Sequence, residues 1–112
     1  MKKKIYIAGK VTGENQEDVT AKFAQAKSTL EARGFEAINP IEVVGDWNTP
    51  WDKAMKLCIA KLTECDGILL LEDWVTSKGA RIEFDIATQL NIPNFRGSFF
   101  GFEKLSGYKW NN

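Results

Sequence analysis

Asp66-Gly67-Ile68-Leu69-Leu70-Leu71, then Glu72-Asp73-Trp74-Val75-Thr76, then Ser77-Lys78-Gly79-Ala80-Arg81-Ile82-Glu83 and on to Leu90, is the stretch that decides the fold. An apolar run of strand length meets a short polar break, and the break ends in a serine suited to cap the helix that follows. With Ser77 as cap, the inward stripe of that helix reads Gly79, Ile82, Glu83, Ile86, Ala87 and Leu90, the spacing of a core-facing helix with one carboxylate inside it. Acidic side chains are rarely buried without a partner or a task. The unpaired N–H groups after Ser77 make the helix start attractive to an anion, so an anion site and a carboxylate fall within about two helical turns of each other. The alternative is that Glu83 is a half-exposed helix residue paired with Arg81 or Lys10.

Outward from this unit, the chain alternates strands and helices. Lys4-Ile5-Tyr6-Ile7-Ala8 is a buried strand, and Gly9-Lys10-Val11-Thr12-Gly13 is a glycine-bracketed turn. It is either a plain strand-to-helix connection or a place where backbone approaches a ligand closely. It matches neither the Walker nor the dinucleotide-binding pattern. A helix is predicted over Gln16 to Ala32, with Asn15 as cap, Val19, Phe23, Ala26 and Leu30 as its stripe, and Gly34 as its stop. Phe35 to Ile38 is a second strand, ended by Asn39-Pro40. Ile41 to Pro50 reads as a loop over the C-terminal edge of the sheet, where doubly wound folds bind ligands. Trp47 in that loop, with Trp51 beyond it, either forms a platform for a flat base or seals the loop onto the core. Trp51 to Cys65 is a third helix, and Asn94-Phe95-Arg96 a short edge strand after the break at Asn91-Ile92-Pro93. The tail, residues 97–112, carries Phe99, Phe100, Phe102, Tyr108 and Trp110, and such a segment packs either on its own domain or on a second subunit.

This order predicts a single α/β domain over residues 1–112. The expected fold is flavodoxin-like (Rossmann-like), a three-layer doubly wound parallel sheet of four to five strands in the order 2-1-3-4-5. Its crevice opens between strands 1 and 3, which sets the Gly9 to Gly13 turn and Ser77 to Glu83 on opposite lips of one site.

Composition narrows the chemistry. Lys plus Arg equals Asp plus Glu at 15 each, so the net charge is zero and a general nucleic-acid binder is not expected. Histidine is absent, which removes the commonest general base and most zinc sites; neither a metal nor a cofactor is expected. Cys58 and Cys65 read as reduced core residues. Met1-Lys2-Lys3-Lys4 is too short for a signal peptide and no apolar run approaches membrane length, so the expected location is the cytoplasm with no membrane partner.

Ile5 to Gly9, Ile38-Asn39-Pro40, Cys65-Asp66-Gly67-Ile68, and Trp74 to Glu83 with Ser77, Gly79 and Glu83 at matching spacing resemble the nucleoside 2-deoxyribosyltransferase superfamily. The match, over roughly residues 4–93, is to a short bacterial and phage branch, with the nucleoside 5'-monophosphate N-glycosidases as relatives. The resemblance implies that Glu83 is the nucleophile that attacks the anomeric carbon of a nucleoside or nucleotide. It also implies that serine at position 77 favours a phosphorylated ligand, and that neighbours in a homodimer or larger homo-oligomer complete the site. The substrate-binding set is then Ala8, Gly9, Lys10, Gly13, Asn39, Pro40, Trp47, Trp51, Trp74, Ser77 and Gly79. Two positions depart from the family. Lys10 stands where proline is usual and could reach an anionic ligand. Cys58, eight residues before Asp66, stands where the relatives carry an aspartate that helps activate the reacting sugar and base. A thiol cannot supply a carboxylate's charge or its two acceptors. Glu72 or Asp73 are the candidates to replace it, and the alternative function is a protein that binds a nucleotide without cleaving it.

Overall fold

A computed structural model describes residues 1–110. Its elements are β1 (Lys4–Ala8), α1 (Gln16–Ala32), β2 (Glu36–Ile38), α2 (Pro40–Val44), α3 (Trp51–Leu62), β3 (Gly67–Leu70), α4 (Lys78–Gln89), β4 (Asn94–Arg96) and α5 (Phe99–Ser106), with one 3-10 turn at Trp74–Thr76. The four strands form one sheet in the order β2-β1-β3-β4, and every pairing is parallel. Ile5 lies opposite Ala37 on one side and Gly67 on the other, and Leu69 lies opposite Ile7 and Phe95. This is the flavodoxin-like order expected, at the lower end of the anticipated strand number.

Alternation along the strands divides the core into two layers, because successive side chains point to opposite faces. Ile5, Ile7, Leu69 and Leu71 meet Val19, Phe23, Ala26 and Leu30 of α1 and Leu105 of α5. Tyr6, Ala8, Ile68 and Leu70 face the other way, onto Cys58 and Leu62 of α3 and Ala80 and Ala87 of α4. Each fully buried Leu, Ile or Phe contributes on the order of 2 kcal/mol. The layer opposite α1 is also the one that contains a tyrosine and, on α4, a glutamate.

Several expectations need correction. Residues 40–44 are helix rather than loop: the Asn39 side chain accepts from the N–H of Ile41 at 3.0 Å, and Pro40, whose ring fixes a helical φ, starts the turn. That cap-and-proline pair was present in the sequence as a helix start. The third helix ends at Leu62 rather than Cys65, with Thr63 as its C-cap. On α4 the buried stripe is Ala80, Glu83 and Ala87. It is rotated from the expected stripe, so that Leu90, 52% exposed, lies outside it. Small residues on either side of Glu83 let α4 sit close to the sheet.

The aromatic tail packs on its own domain. Tyr108 meets Phe95 edge-on, Trp110 lies tilted against the same ring, and Trp110 also meets Phe35 edge-on. Phe99 and Phe100 point outward. Positions 111 and 112 of the expected tail lie outside the described residues. Attachment of α5 depends on one glycine: a Cβ on Gly101 would stand 1.8 Å from the Arg96 carbonyl oxygen, whereas one on Gly107 would meet nothing closer than 3.6 Å. Gly101→Ala is therefore expected to cost about 3 kcal/mol or more, through strain or detachment of α5. Gly107→Ala should stay within about 0.5 kcal/mol of the parent. Urea unfolding midpoints compare the two, and equal midpoints would refute this account of α5.

Candidate functional site

Pairing of β1 with β3 and the crossing of α4 over them bring Tyr6 and Glu83 together, 77 residues apart in sequence. The Tyr6 hydroxyl donates to Glu83 Oε2 at 2.7 Å, and Glu83 is only 5% exposed. Among the described residues no other donor reaches the Glu83 carboxylate, and no side-chain oxygen is both sealed from solvent and unpartnered. The second oxygen, Oε1, is therefore open, and it opens on a cleft, because Glu83 lines a cavity of about 820 Å³ together with Tyr6 and Cys58. The alternative in which Glu83 is half-exposed and paired with Arg81 or Lys10 is thereby overturned.

Burial governs the protonation of this floor. Loss of hydration raises the Glu83 carboxyl to about 7, against the smaller opposing effect of the Tyr6 hydrogen bond. Burial, and then the charge of Glu83, hold the Tyr6 phenol well above its ordinary value, so that it remains a proton donor. The Cys58 thiol is pushed up to about 11, chiefly by burial. It is a neutral thiol at pH 7 and a poor nucleophile. The floor thus holds one fixed donor, one carboxyl that titrates near neutrality and one uncharged sulfur.

The walls come from the two lips predicted from sequence. Gly9, Lys10 and Gly13 line one side, and Ser77, Lys78 and Gly79 the other. Ser77 caps α4, its Oγ accepting from the Ala80 N–H at 3.1 Å. Among the described residues the N–H groups of Lys78 and Gly79 have no backbone acceptor outside α4. These two lie in the first turn, where no preceding helical carbonyl can serve them. Gly79 lies close under Met55, where a Cβ would meet the Sδ at 3.0 Å and the flexible thioether would have to shift. Trp47 and Trp51 also line the cleft, and with 44% and 41% of their surface exposed they present part of each indole to it. The Lys78 ammonium lies 4.7 Å from the centre of the Trp51 ring.

Pro40 lines the cleft, but three expected contacts do not. Ala8 is buried in the sheet, Asn39 is spent on capping α2, and Trp74 packs 4.8 Å from Phe84 beneath the Arg96 guanidinium. They frame the cleft without lining it. Neither Glu72 nor Asp73 lines it either; Asp73 is paired with Lys22. Sequence reasoning passed over Tyr6, although a tyrosine inside an otherwise aliphatic strand needs a partner for its hydroxyl once buried.

Residues 3–94 match the family described as Domain of unknown function (DUF4406). The chain belongs to this family. No match is found among curated proteins. The DUF4406 span runs from the strand that carries Tyr6 to the first residue of β4, so it contains every residue that lines the cleft, while α5 and the aromatic tail follow it.

The raised Glu83 carboxyl has a measurable consequence. Its folded value, about 7, exceeds the ordinary 4.5. The native state therefore binds the proton more tightly than the unfolded chain, and stability falls as pH rises through that window. Glu83→Gln keeps an acceptor for Tyr6 without the charge. Relative to the parent, the variant should gain up to about 3 kcal/mol between pH 4 and pH 8. Urea titrations across that range test this, and parallel stability curves for the two proteins would contradict the burial argument.

Proposed function

We propose that this chain is a nucleoside or nucleotide N-glycosidase or 2-deoxyribosyltransferase-like enzyme, acting in the cytoplasm on a small-molecule substrate. The observation that carries the reading is the Glu83 carboxylate, buried on the cleft floor, anchored through one oxygen to Tyr6 and open through the other. That is the arrangement a carboxylate nucleophile needs, because the hydrogen bond fixes its orientation while Oε1 keeps a lone pair for the sugar. In the first step Oε1 bonds to the anomeric carbon, the bond from that carbon to the base nitrogen breaks, and the base leaves with the electron pair. Water or a second base then attacks the same carbon, and the Glu83 carboxylate is released, as in retaining glycosidases. The resemblance of residues 4–93 to the nucleoside 2-deoxyribosyltransferase superfamily supports the same assignment.

The rim fits a phosphorylated sugar. Lys10, Lys78 and the free N–H groups at the start of α4 place positive charge along one cleft, and the exposed indoles of Trp47 and Trp51 offer surfaces for a base. One observation favours the second reading, a protein that binds a nucleotide without turnover. The group beside Glu83 is the neutral thiol of Cys58, and the other carboxylates of the cleft, Glu14 and Asp46, belong to exposed residues.

Purified protein should release free base from at least one member of a panel of nucleosides, nucleotides and deoxynucleotides, with kcat/KM rising to a plateau through pH about 7 as Glu83 ionises. Glu83→Gln should lower that rate about a thousandfold or more. Thermal stabilisation by a panel member without base release would select the binding reading instead, and neither effect with any member would rule out both. Ser77→Asp sets a like charge beside the phosphate. It should weaken a monophosphate at least about tenfold more than its parent nucleoside, and equal weakening would remove the phosphate assignment.

A further inference from the structure

The turn after β1 is held from behind by an ion pair that the cleft does not use. Lys10 donates its backbone N–H to Asp73 Oδ1 at 3.0 Å, and its carbonyl accepts from Lys22 Nζ at 2.8 Å. Lys22 Nζ is in turn bonded to Asp73 Oδ2. Both polar groups of one peptide residue are therefore held by the two members of a single ion pair. One member comes from the middle of α1 and the other from the crest after β3. Burial alone would raise the Asp73 carboxyl, but the hydrogen bonds from Lys22 and from the Lys10 N–H outweigh it and hold it below its ordinary value. Gly9 allows the contact: a Cβ there would stand 2.9 Å from Leu71 Cδ1 and 3.2 Å from Asp73 Oδ1.

Lys22 and Asp73 do not line the cleft, whereas Lys10 does, and among the described residues the Lys10 ammonium has no ion-pair partner. A long flexible lysine binds an anion weakly unless its backbone origin is fixed, because ordering it at binding costs conformational entropy. We infer that Lys22 and Asp73 form a clamp that positions Lys10 to hold the phosphate of a nucleotide in the cleft. The two are positioning residues, acting only through Lys10, and the inference rests on the nucleotide reading above.

Electrostatics supplies a test by sign. Deleting the negative charge of Asp73 behind an anion site would, by Coulomb's law alone, tighten a monophosphate. Loss of the clamp does the opposite. With 2'-deoxyadenosine 5'-monophosphate as probe and calorimetric titration as readout, Asp73→Ala is expected to weaken binding about tenfold. Asp73→Asn, which keeps an acceptor for the Lys10 N–H but not the ion pair, should fall between it and the parent. Binding of 2'-deoxyadenosine should change less than about twofold. In a Lys10→Ala background the Asp73→Ala effect should vanish, because the clamp has nothing left to position. Tighter or unchanged monophosphate binding in Asp73→Ala, or a loss that persists without Lys10, overturns the clamp. A parent protein that binds neither probe counts against the nucleotide reading. The clamp is then judged without ligand, by amide hydrogen exchange at Lys10. Exchange should quicken about a hundredfold or more in Asp73→Ala while the β3 amides are unchanged, and unchanged exchange at Lys10 overturns it.

Discussion

The hydrogen bond from the Tyr6 hydroxyl to Glu83 is the constraint around which the α3–α4 side of the sheet is arranged. A carboxylate taken out of water loses several kcal/mol of hydration, and one hydrogen bond returns only part of it. The remainder is visible as a carboxyl whose proton is held until about pH 7. The structure tolerates this because the cost is confined to one residue flanked by alanines, on a helix otherwise well packed. An apolar residue in place of Glu83 would spare the desolvation but leave the buried Tyr6 hydroxyl without its acceptor, so the two side chains hold their places as a pair.

Charge is laid out in depth across the cleft. At the floor stand a phenol, a thiol and the titrating carboxyl, all largely withdrawn from water. Toward the rim stand lysines, free backbone donors and half-exposed indoles. A ligand with an anionic end and a neutral, polar interior end suits this gradient. The acidic side chains of the rim, Glu14 and Asp46, are exposed and therefore screened.

Most of the fold was legible because its signals are local. Asn15 and Ser77 are helix caps that need no tertiary information, and the apolar periodicity of α1 identifies its buried face residue by residue. The short helix at Pro40 was misread because hydrophobic periodicity cannot register over five residues, although its cap and proline were present. The rotated face of α4 was hidden for another reason: Gly79 and Ala80 are both small, and only packing against the sheet decides that Ala80 turns inward. Both lips of the cleft could be read from glycines and a cap, and the carboxylate from its place on a helix. The partner of Tyr6 and the Lys22–Asp73 pair could not, since each is a contact between elements far apart in the chain, fixed by strand register.

The two outermost strands of the sheet, β2 and β4, are three residues long, and β4 packs against α5 so closely that only glycine fits at position 101. Short margins of this kind present few unpaired amides and carbonyls to another chain. Lateral extension of the sheet, whether by a partner's strand or by runaway stacking of copies, has almost no template here. Beyond the three residues of strand at either margin, the surface that this molecule offers is one of helical faces and side chains.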